Sequence, residues 1–358
     1  MAGICRVDVE LRSRSLPIRF SEIILNNSKK NAFFIEGGGT KGVYAIGILK
    51  YLFEDNMYVN LSKVDIFGGT SVGSYLAAAL SLGYQKEDLI EIAKIVNIDR
   101  LIDSKYLFFI TAFRFISKKY LYDDAGRIDI IRKILDLKID QIKNDFGLSK
   151  ESAFSAIDIT FGNLKYLIDK HPTTYKHLLI NVVDISQNNQ IFMTTLDDKF
   201  DDIKIFDAMI ASSALPFVFK PLTMHYCPIE EKYKYHKTEK STINQLIDGG
   251  VSTNNPLDYF LLNNEKFSDY NLWLLKFRSD AGYAKIDGIV SLLKQLLEYL
   301  LSGKNDIKMD LIKEEYQISV INLYSKAGVL DIYETDKVIE IINDIYNQCT
   351  SGKLYFGN

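Results

Sequence analysis

The sequence predicts an α/β protein of three layers, α/β/α, with a mainly parallel central sheet. Two observations carry this. A short apolar run at residues 32–35 passes through Gly37-Gly38-Gly39-Thr40-Lys41-Gly42 into Val43, Ile46, Ile48, Leu49 and Leu52 at helical spacings. Residues 64–67 repeat the plan, passing through Gly69-Thr70-Ser71-Val72-Gly73 into a helix pattern over 75–80. Strand, glycine turn, helix, repeated once, implies parallel neighbours, because the crossover helix returns the chain to the same end of the sheet.

The remaining elements follow in order. Residues 1–30 read as an irregular or short-stranded lead-in that ends in the polar stretch 26–31. Helical spacing returns at 87–96 and 128–137. Strand patterns at 178–185 and 190–196, separated by Ser-Gln-Asn-Asn, predict a hairpin. A short helix over 205–214 leads to Pro216, and the charged, tyrosine-rich residues 230–240 read as a surface loop. An apolar run at 246–247 delivers Asp248-Gly249-Gly250, and Asn255 with Pro256 resemble a cap and first turn of a helix. Beyond these lie a strand at 270–277, an amphipathic helix at 286–301, a strand at 317–323 and a closing helix at 337–346. The helix at 286–301 has enough leucine to face either the sheet or a partner, and the sheet is the expected use. With no proline-rich linker and no internal repeat, the tail is expected to extend the same sheet. The predicted division is a lead-in at 1–31, a core domain at 32–262, and an α/β extension at 263–358 packed on it.

Composition narrows the function. The chain has 358 residues, 47% of them hydrophobic and 25% charged, which is globular in character and enough for one large α/β domain or two small ones. A net charge of −3 leaves no electrostatic footprint for nucleic acid, so none is expected as a partner. The three cysteines, Cys5, Cys227 and Cys349, are far apart and odd in number, which argues against a disulfide scaffold and for a reducing, cytoplasmic compartment. Arg6, Arg12, Arg14 and Arg19 are scattered through an N-terminus that lacks the apolar core of a signal peptide. No run reaches the roughly 18 apolar residues of a membrane span. Residues 106–116 come nearest, interrupted by Arg114 and followed by Lys118 and Lys119. That segment reads either as a core helix or as a lid, acyl-pocket wall or docking segment at a membrane surface, which leaves peripheral membrane contact open.

Gly69-Thr70-Ser71-Val72-Gly73 matches Gly-x-Ser-x-Gly, in which small neighbours let the chain bend so sharply that the serine hydroxyl stands clear of the backbone. Gly37, Gly38 and Gly39 offer unobstructed N–H groups near a helix N-terminus, each worth roughly 3–4 kcal/mol to a developing oxyanion. Lys41 adds a positive charge near that turn, unless it is a solvated side chain or a structural prop. A serine that merely caps the helix beginning at Val72 is the plainer alternative for Ser71. Gly37, Gly39 and Gly42 also satisfy Gly-x-Gly-x-x-Gly, but the second strand ends in Gly68-Gly69-Thr70-Ser71 without the acidic residue that holds a ribose, and Asp65 lies near its start. A phosphate-cradling loop fails too, since Lys41 precedes the last glycine and Val43 follows it.

A serine needs a base. Of the four histidines, His171, His177 and His236 lie in polar segments, and His225 alone follows an apolar stretch, so Ser71, Asp184 and His225 could form a triad. Asp248 is the stronger candidate, because a strand delivers it and Gly249 and Gly250 let another group approach closely. Aspartate in water, with a pKa of about 3.9, is a weak base at neutral pH, so its site must exclude water. Such a site suits an apolar substrate.

Taken together these blocks resemble the patatin-like phospholipase family. Gly37 to Gly42 is similar to its oxyanion-hole block, with lysine where arginine is commoner. Gly69-Thr70-Ser71-Val72-Gly73-Ser74 is similar to its nucleophile elbow, and Asp248-Gly249-Gly250 to its dyad block, 177 positions beyond Ser71. Ala211-Ser212-Ser213-Ala214-Leu215-Pro216-Phe217 resembles the block between them, with Asn254, Asn255 and Pro256 following at the usual place. The resemblance covers residues 32–262. It implies a serine lipid acyl hydrolase of the phospholipase A or lysophospholipase type, in which Ser71 attacks an ester carbonyl, Asp248 takes its proton, and Gly37, Gly38, Gly39, Thr40, Lys41 and Gly42 form the oxyanion hole. Gly69, Gly73, Gly249 and Gly250 support those turns. A glycerolipid substrate is implied, and neither metal nor cofactor. The competing class is a catalytically silent lipid-binding or scaffolding protein of the same fold. Ser212 and Ser213 are expected to pack a helix end against the elbow.

Overall fold

The computed structural model describes residues 6–10, 29–39, 41–54, 59–96, 124–279, 285–288, 291–292, 295–296, 299, 318–325 and 335–351. The apolar segment 106–116, Thr40 and Cys5 lie outside them.

Among its described residues, the lead-in contains β1 (Arg6–Glu10). Then come β2 (Lys30–Ile35), α1 (Lys41–Leu52), β3 (Ile66–Gly69) and α2 (Val72–Ser81), the predicted strand-turn-helix pair. α3 (Lys86–Ile95), α4 (Ala125–Asp136), α5 (Ile139–Asp145) and α6 (Phe161–Lys170) precede the hairpin β4 (His177–Asp184) and β5 (Asn189–Thr194). Thr160 starts α6 with a capping box, its Oγ1 accepting from Asn163 N while its own N–H is met by Asn163 Oδ1. α7 (Ile205–Ser212), β6 (Leu222–Cys227), β7 (Lys232–Lys234) and β8 (Thr242–Asp248) follow. The chain closes with α8 (Leu257–Leu262), α9 (Asn264–Phe267), β9 (Tyr270–Ser279), β10 (Ile318–Ser325) and α10 (Thr335–Thr350).

One mixed sheet runs β1-β10-β9-β2-β3-β4-β8-β6-β7, with β5 also on β4. Its middle, from β10 through β4, is parallel, and antiparallel strands flank it on both sides. β9 and β10 join the sheet directly beside β2.

Both faces are covered. Because side chains alternate along a strand, Phe33 and Ile35 join the large core under α1, α2, α4 and α7, whereas Ala32 and Phe34 join a smaller core with Leu257, Phe260 and Phe267. That two-sided burial is why these strands read as unbroken apolar runs.

The structure corrects two expectations. Residues 230–240 are not only a loop: β7 pairs antiparallel with β6, and Tyr233 is buried with its hydroxyl on Asp184 Oδ2 at 2.8 Å. The helix expected at 286–301 is helical at 291–292, 295–296 and 299 but not at 286–288, and Leu292, Leu296 and Tyr299 are 50%, 44% and 55% exposed and do not face the sheet. The sheet's faces are already occupied, by α8 and α9 on one side and by α1 and α10 on the other. Among the described residues, no helix is long and apolar enough to cross a membrane.

β4 decides where the functional loops meet. Its residues 179–180 pair with both β3 and β5, and its residues 182–184 with both β8 and β5. A strand has only two edges, so β3 and β8 share the one opposite β5. β3 ends at Gly69 opposite Ile180, and β8, running the other way, ends at Asp248 opposite Val182. The two strand tips face each other across Asn181, roughly two residue rises, or about 7 Å, apart along β4.

Candidate active site

Ser71 occupies the turn between β3 and α2 with φ 54° and ψ −129°, a region that costs an L-residue about 1–3 kcal/mol. Its side chain makes no capping bond to the helix, which removes the plain capping alternative. The backbone is held instead of the hydroxyl: Ser71 N–H donates to Ser212 Oγ at 3.0 Å, and Ser71 O accepts from Ser74 N at 2.9 Å. The bend depends on absent side chains. A Cβ on Gly69 would meet Gly73 O at 2.2 Å, and one on Gly73 would meet Ile35 O at 2.3 Å and Glu36 O at 2.5 Å. The first turn of α2 thus rests directly on the end of β2.

The glycine turn after β2 lies against this elbow. A Cβ on Gly37 would touch Ser71 Cβ at 3.0 Å, one on Gly38 the Phe277 ring at 2.6 Å, and one on Gly42 Val72 Cγ1 at 2.7 Å, while Gly39 has φ 53°. The turn offers fewer donors than its sequence suggests. Gly37 N–H is engaged by Asn254 Oδ1 at 3.1 Å and Asn254 O at 3.3 Å, Lys41 N–H by Gly38 O and Gly42 N–H by Gly39 O. Gly38 and Gly39 keep N–H groups with no partner among the described residues. Lys41 is buried at 2% exposure, which rules out the solvated side chain.

Asp248 is completely buried at the tip of β8. Its N–H donates to Ala214 O at 3.1 Å, and its Oδ1 accepts from Gly250 N–H at 2.8 Å. A Cβ on Gly249 would strike Asn181 O at 2.4 Å, so only glycine lets the chain turn there. Oδ2 has no hydrogen-bond partner among the described residues. Burial pushes this carboxyl up to about 7, opposed first by the Gly250 N–H, then by the nearby Ser71 hydroxyl, then by the Arg127 guanidinium. The Ser71 side chain is thus close enough to favour the ionised acid without yet making a well-formed hydrogen bond to Oδ2.

Three polar residues join the loops. Asn181 Nδ2 donates to Thr253 O at 2.7 Å and Thr70 Oγ1 at 3.3 Å, and its own carbonyl accepts from Ser212 Oγ at 2.7 Å. Ser212 therefore bridges Asn181 to the Ser71 backbone, as a bracing residue should. Asn254 grips Gly37, its Nδ2 donating to Gly37 O at 2.6 Å. Asn255 Oδ1 accepts from Leu257 N–H at 3.2 Å and so starts α8. Sequence reasoning passed over Asn181 and Arg127. A single asparagine inside the apolar run of β4 was a usable signal for the first; an arginine in the first turn of a helix offers none.

The histidine alternative does not assemble. Asp184 is engaged by Tyr233, Asn244 and the N–H groups of Ser186 and Gln187, and it makes no bond to His225. It also lies four residues beyond Ile180, the partner of Gly69, or about 13 Å along β4. Asp65 accepts from Asn31 N–H at 2.8 Å, at the end of β3 away from the glycine turns.

This fold, with a strained serine elbow, a bare glycine turn and a buried aspartate at adjoining strand ends, defines a class. The sequence pattern described as patatin-like phospholipase matches residues 33–261, and the chain belongs to that family. Membership supports lipid acyl hydrolysis as its general chemistry. The chain is 49% identical over 335 residues to "Uncharacterized protein L620" of Acanthamoeba polyphaga mimivirus, covering 92% of this chain and 90% of that protein. It is 25% identical to the "cGAMP-activated phospholipase" of Vibrio cholerae, covering 84% and 69%, and 24% identical to "Probable lipid hydrolase 463L" of Invertebrate iridescent virus 6, covering 66% of each. Among solved structures, VipD from Legionella pneumophila aligns at TM-score 0.48 and 15% identity, over 97% of this chain and 70% of that one.

Proposed function

We propose that this protein is a serine lipid acyl hydrolase of the phospholipase A or lysophospholipase type, working through a dyad of Ser71 and Asp248. The observation that carries the reading is the state of Asp248: a fully buried carboxylate whose Oδ2 is unpartnered among the described residues and whose acidity the Ser71 hydroxyl influences. Burial brings its pKa to about 7, near the operating pH that suits a general base.

In the forward step Ser71 Oγ bonds to the ester carbonyl carbon while its proton passes to Asp248 Oδ2. The carbonyl π pair moves onto oxygen, where the N–H groups of Gly38 and Gly39 receive it. Collapse breaks the bond to the glycerol oxygen, which takes the proton from Asp248, leaving a fatty acyl group on Ser71. Water then gives its proton to Asp248, attacks the acyl carbon and releases the fatty acid by the reverse sequence. Glycerolipid esters are the substrate class, because a site that must be dry to keep Asp248 basic favours an apolar acyl chain.

Fatty acid release from phosphatidylcholine vesicles by wild type, Ser71→Ala and Asp248→Asn tests this. Wild type is expected to release fatty acid, and each variant to lose about 10⁴-fold or more of kcat. Release by Ser71→Ala at the wild-type rate ends the dyad, and vesicle binding by wild type without any release favours the silent lipid-binding alternative.

A further inference from the structure

Arg127 is the bulkiest fully buried side chain among the described residues, at 1% exposure in the first turn of α4. A buried charge is costly unless it is paired. Among the described residues one carboxylate meets it, Asp124 Oδ1 at 2.7 Å from Nη2, and the Phe219 ring centroid lies 4.6 Å from Cζ. Nη1 lies 3.5 Å from Ser213 Oγ, and Nε has no partner among the described residues. Its hydrogen bonding is thus incomplete, and its charge acts on the Asp248 carboxyl.

Ser213 ties that charge to the candidate base. Its hydroxyl donates to Met209 O at 2.7 Å, so its lone pairs are free to accept from Tyr75 Oη–H at 2.6 Å and from Arg127. The next residue, Ala214, receives the Asp248 N–H. Tyr75 stays neutral, since burial pushes it up to about 12. The groups that act on Asp248 are thus Ser71 and the Gly250 N–H beside it, and Arg127 from α4; Tyr75 of α2 and Asp124 before α4 share the cluster. Asp207 of α7 faces Tyr235 instead.

We propose that Arg127 is a positioning residue for the base: held by Ser213 and Asp124, it places a permanent positive charge near Asp248 and favours the ionised form of that carboxyl against burial. The inference rests on the dyad reading above and adds to it a charge that lowers the pH at which the base works. The Gly250 N–H favours the ionised carboxyl more strongly, and Arg127 adds a full charge to that partial one.

The test is kcat/KM against pH from 5 to 9 on a soluble short-chain ester, for the full chain and for Arg127→Met, Arg127→Lys and Asp124→Asn. Arg127→Met is expected to move the acid limb up by about one pH unit, losing about tenfold below the limb and recovering at pH 9. Arg127→Lys should restore most of the shift, because it keeps the charge. Asp124→Asn removes the counter-charge and should move the limb the opposite way, to lower pH, an effect that damaged packing would not produce. A uniform loss at every pH in Arg127→Met, with the limb of Asp124→Asn unmoved, overturns the proposal. If Arg127→Met does not fold, the direction of the Asp124→Asn shift decides alone. Activity that survives Ser71→Ala instead brings down the dyad reading itself, so the two failures are told apart.

Discussion

The turns at Ser71 and at Asp248 stand side by side, yet they are built from different physics. The elbow is local: Gly69, Thr70, Ser71 and Gly73 lie within five residues, and what holds the bend is the absence of Cβ atoms against Ile35 O, Glu36 O and Gly73 O. The carboxylate loop is long-range. Asp248 depends on Ala214 for its N–H, on Asn181 for the backing of Gly249, and on burial for its basicity. One turn is therefore limited by space and the other by charge, and each should fail in its own way.

The largest separation expected between them is in stability against pH. Folded Asp248 keeps its proton up to about pH 7, whereas an unfolded aspartate releases it at about 3.9. The folded chain binds the extra proton between these values, so this group's contribution falls as pH rises through that window. Asp248→Asn, which cannot ionise, should therefore gain on wild type between pH 4 and pH 8, by up to about 4 kcal/mol, in urea unfolding at the two pH values. A stability difference that stays constant with pH would mean the base is not held neutral by burial.

Gly73→Ala probes the other mechanism. Its new methyl group would sit 2.3 Å from Ile35 O and 2.5 Å from Glu36 O, and backbone cannot swing aside as a side chain can. A loss of about 3 kcal/mol, independent of pH, is expected from the same unfolding measurements. Wild-type stability in that variant would show that the elbow is looser than its contacts imply.

The smallest effect tests the joint between the loops. Asn254→Ala deletes both side-chain bonds to Gly37, leaving the buried Gly37 carbonyl short of its donor, at a cost of about 1–2 kcal/mol. Ester turnover should fall about tenfold through kcat rather than KM, because Gly38 and Gly39 are held by the same grip. Unaltered turnover would separate the glycine turn from the carboxylate loop.

Much of this was legible in the chain. Local signals, apolar runs ending in glycine, located β2, α1, β3, α2 and both turns, since a strand-turn-helix unit is specified by neighbours in sequence. The hairpin β4–β5 was equally plain from its turn residues. The errors share a cause. The tyrosine-rich segment at 230–240 looks solvated until Asp184 claims the Tyr233 hydroxyl, and Leu292 looks like core until other helices have taken the sheet.

The sequence by itself determined where the chain can bend and which hydroxyl stands at the bend, because the conformational freedom of glycine is carried by the residue itself. Tertiary structure alone decided that Gly37 gives its N–H to Asn254, that β3 and β8 end on the same edge of β4, and that Arg127 lies buried near Asp248. Hydrogen-bond assignment, strand order and the dielectric around a charge depend on groups a hundred or more residues apart, and no local pattern records them.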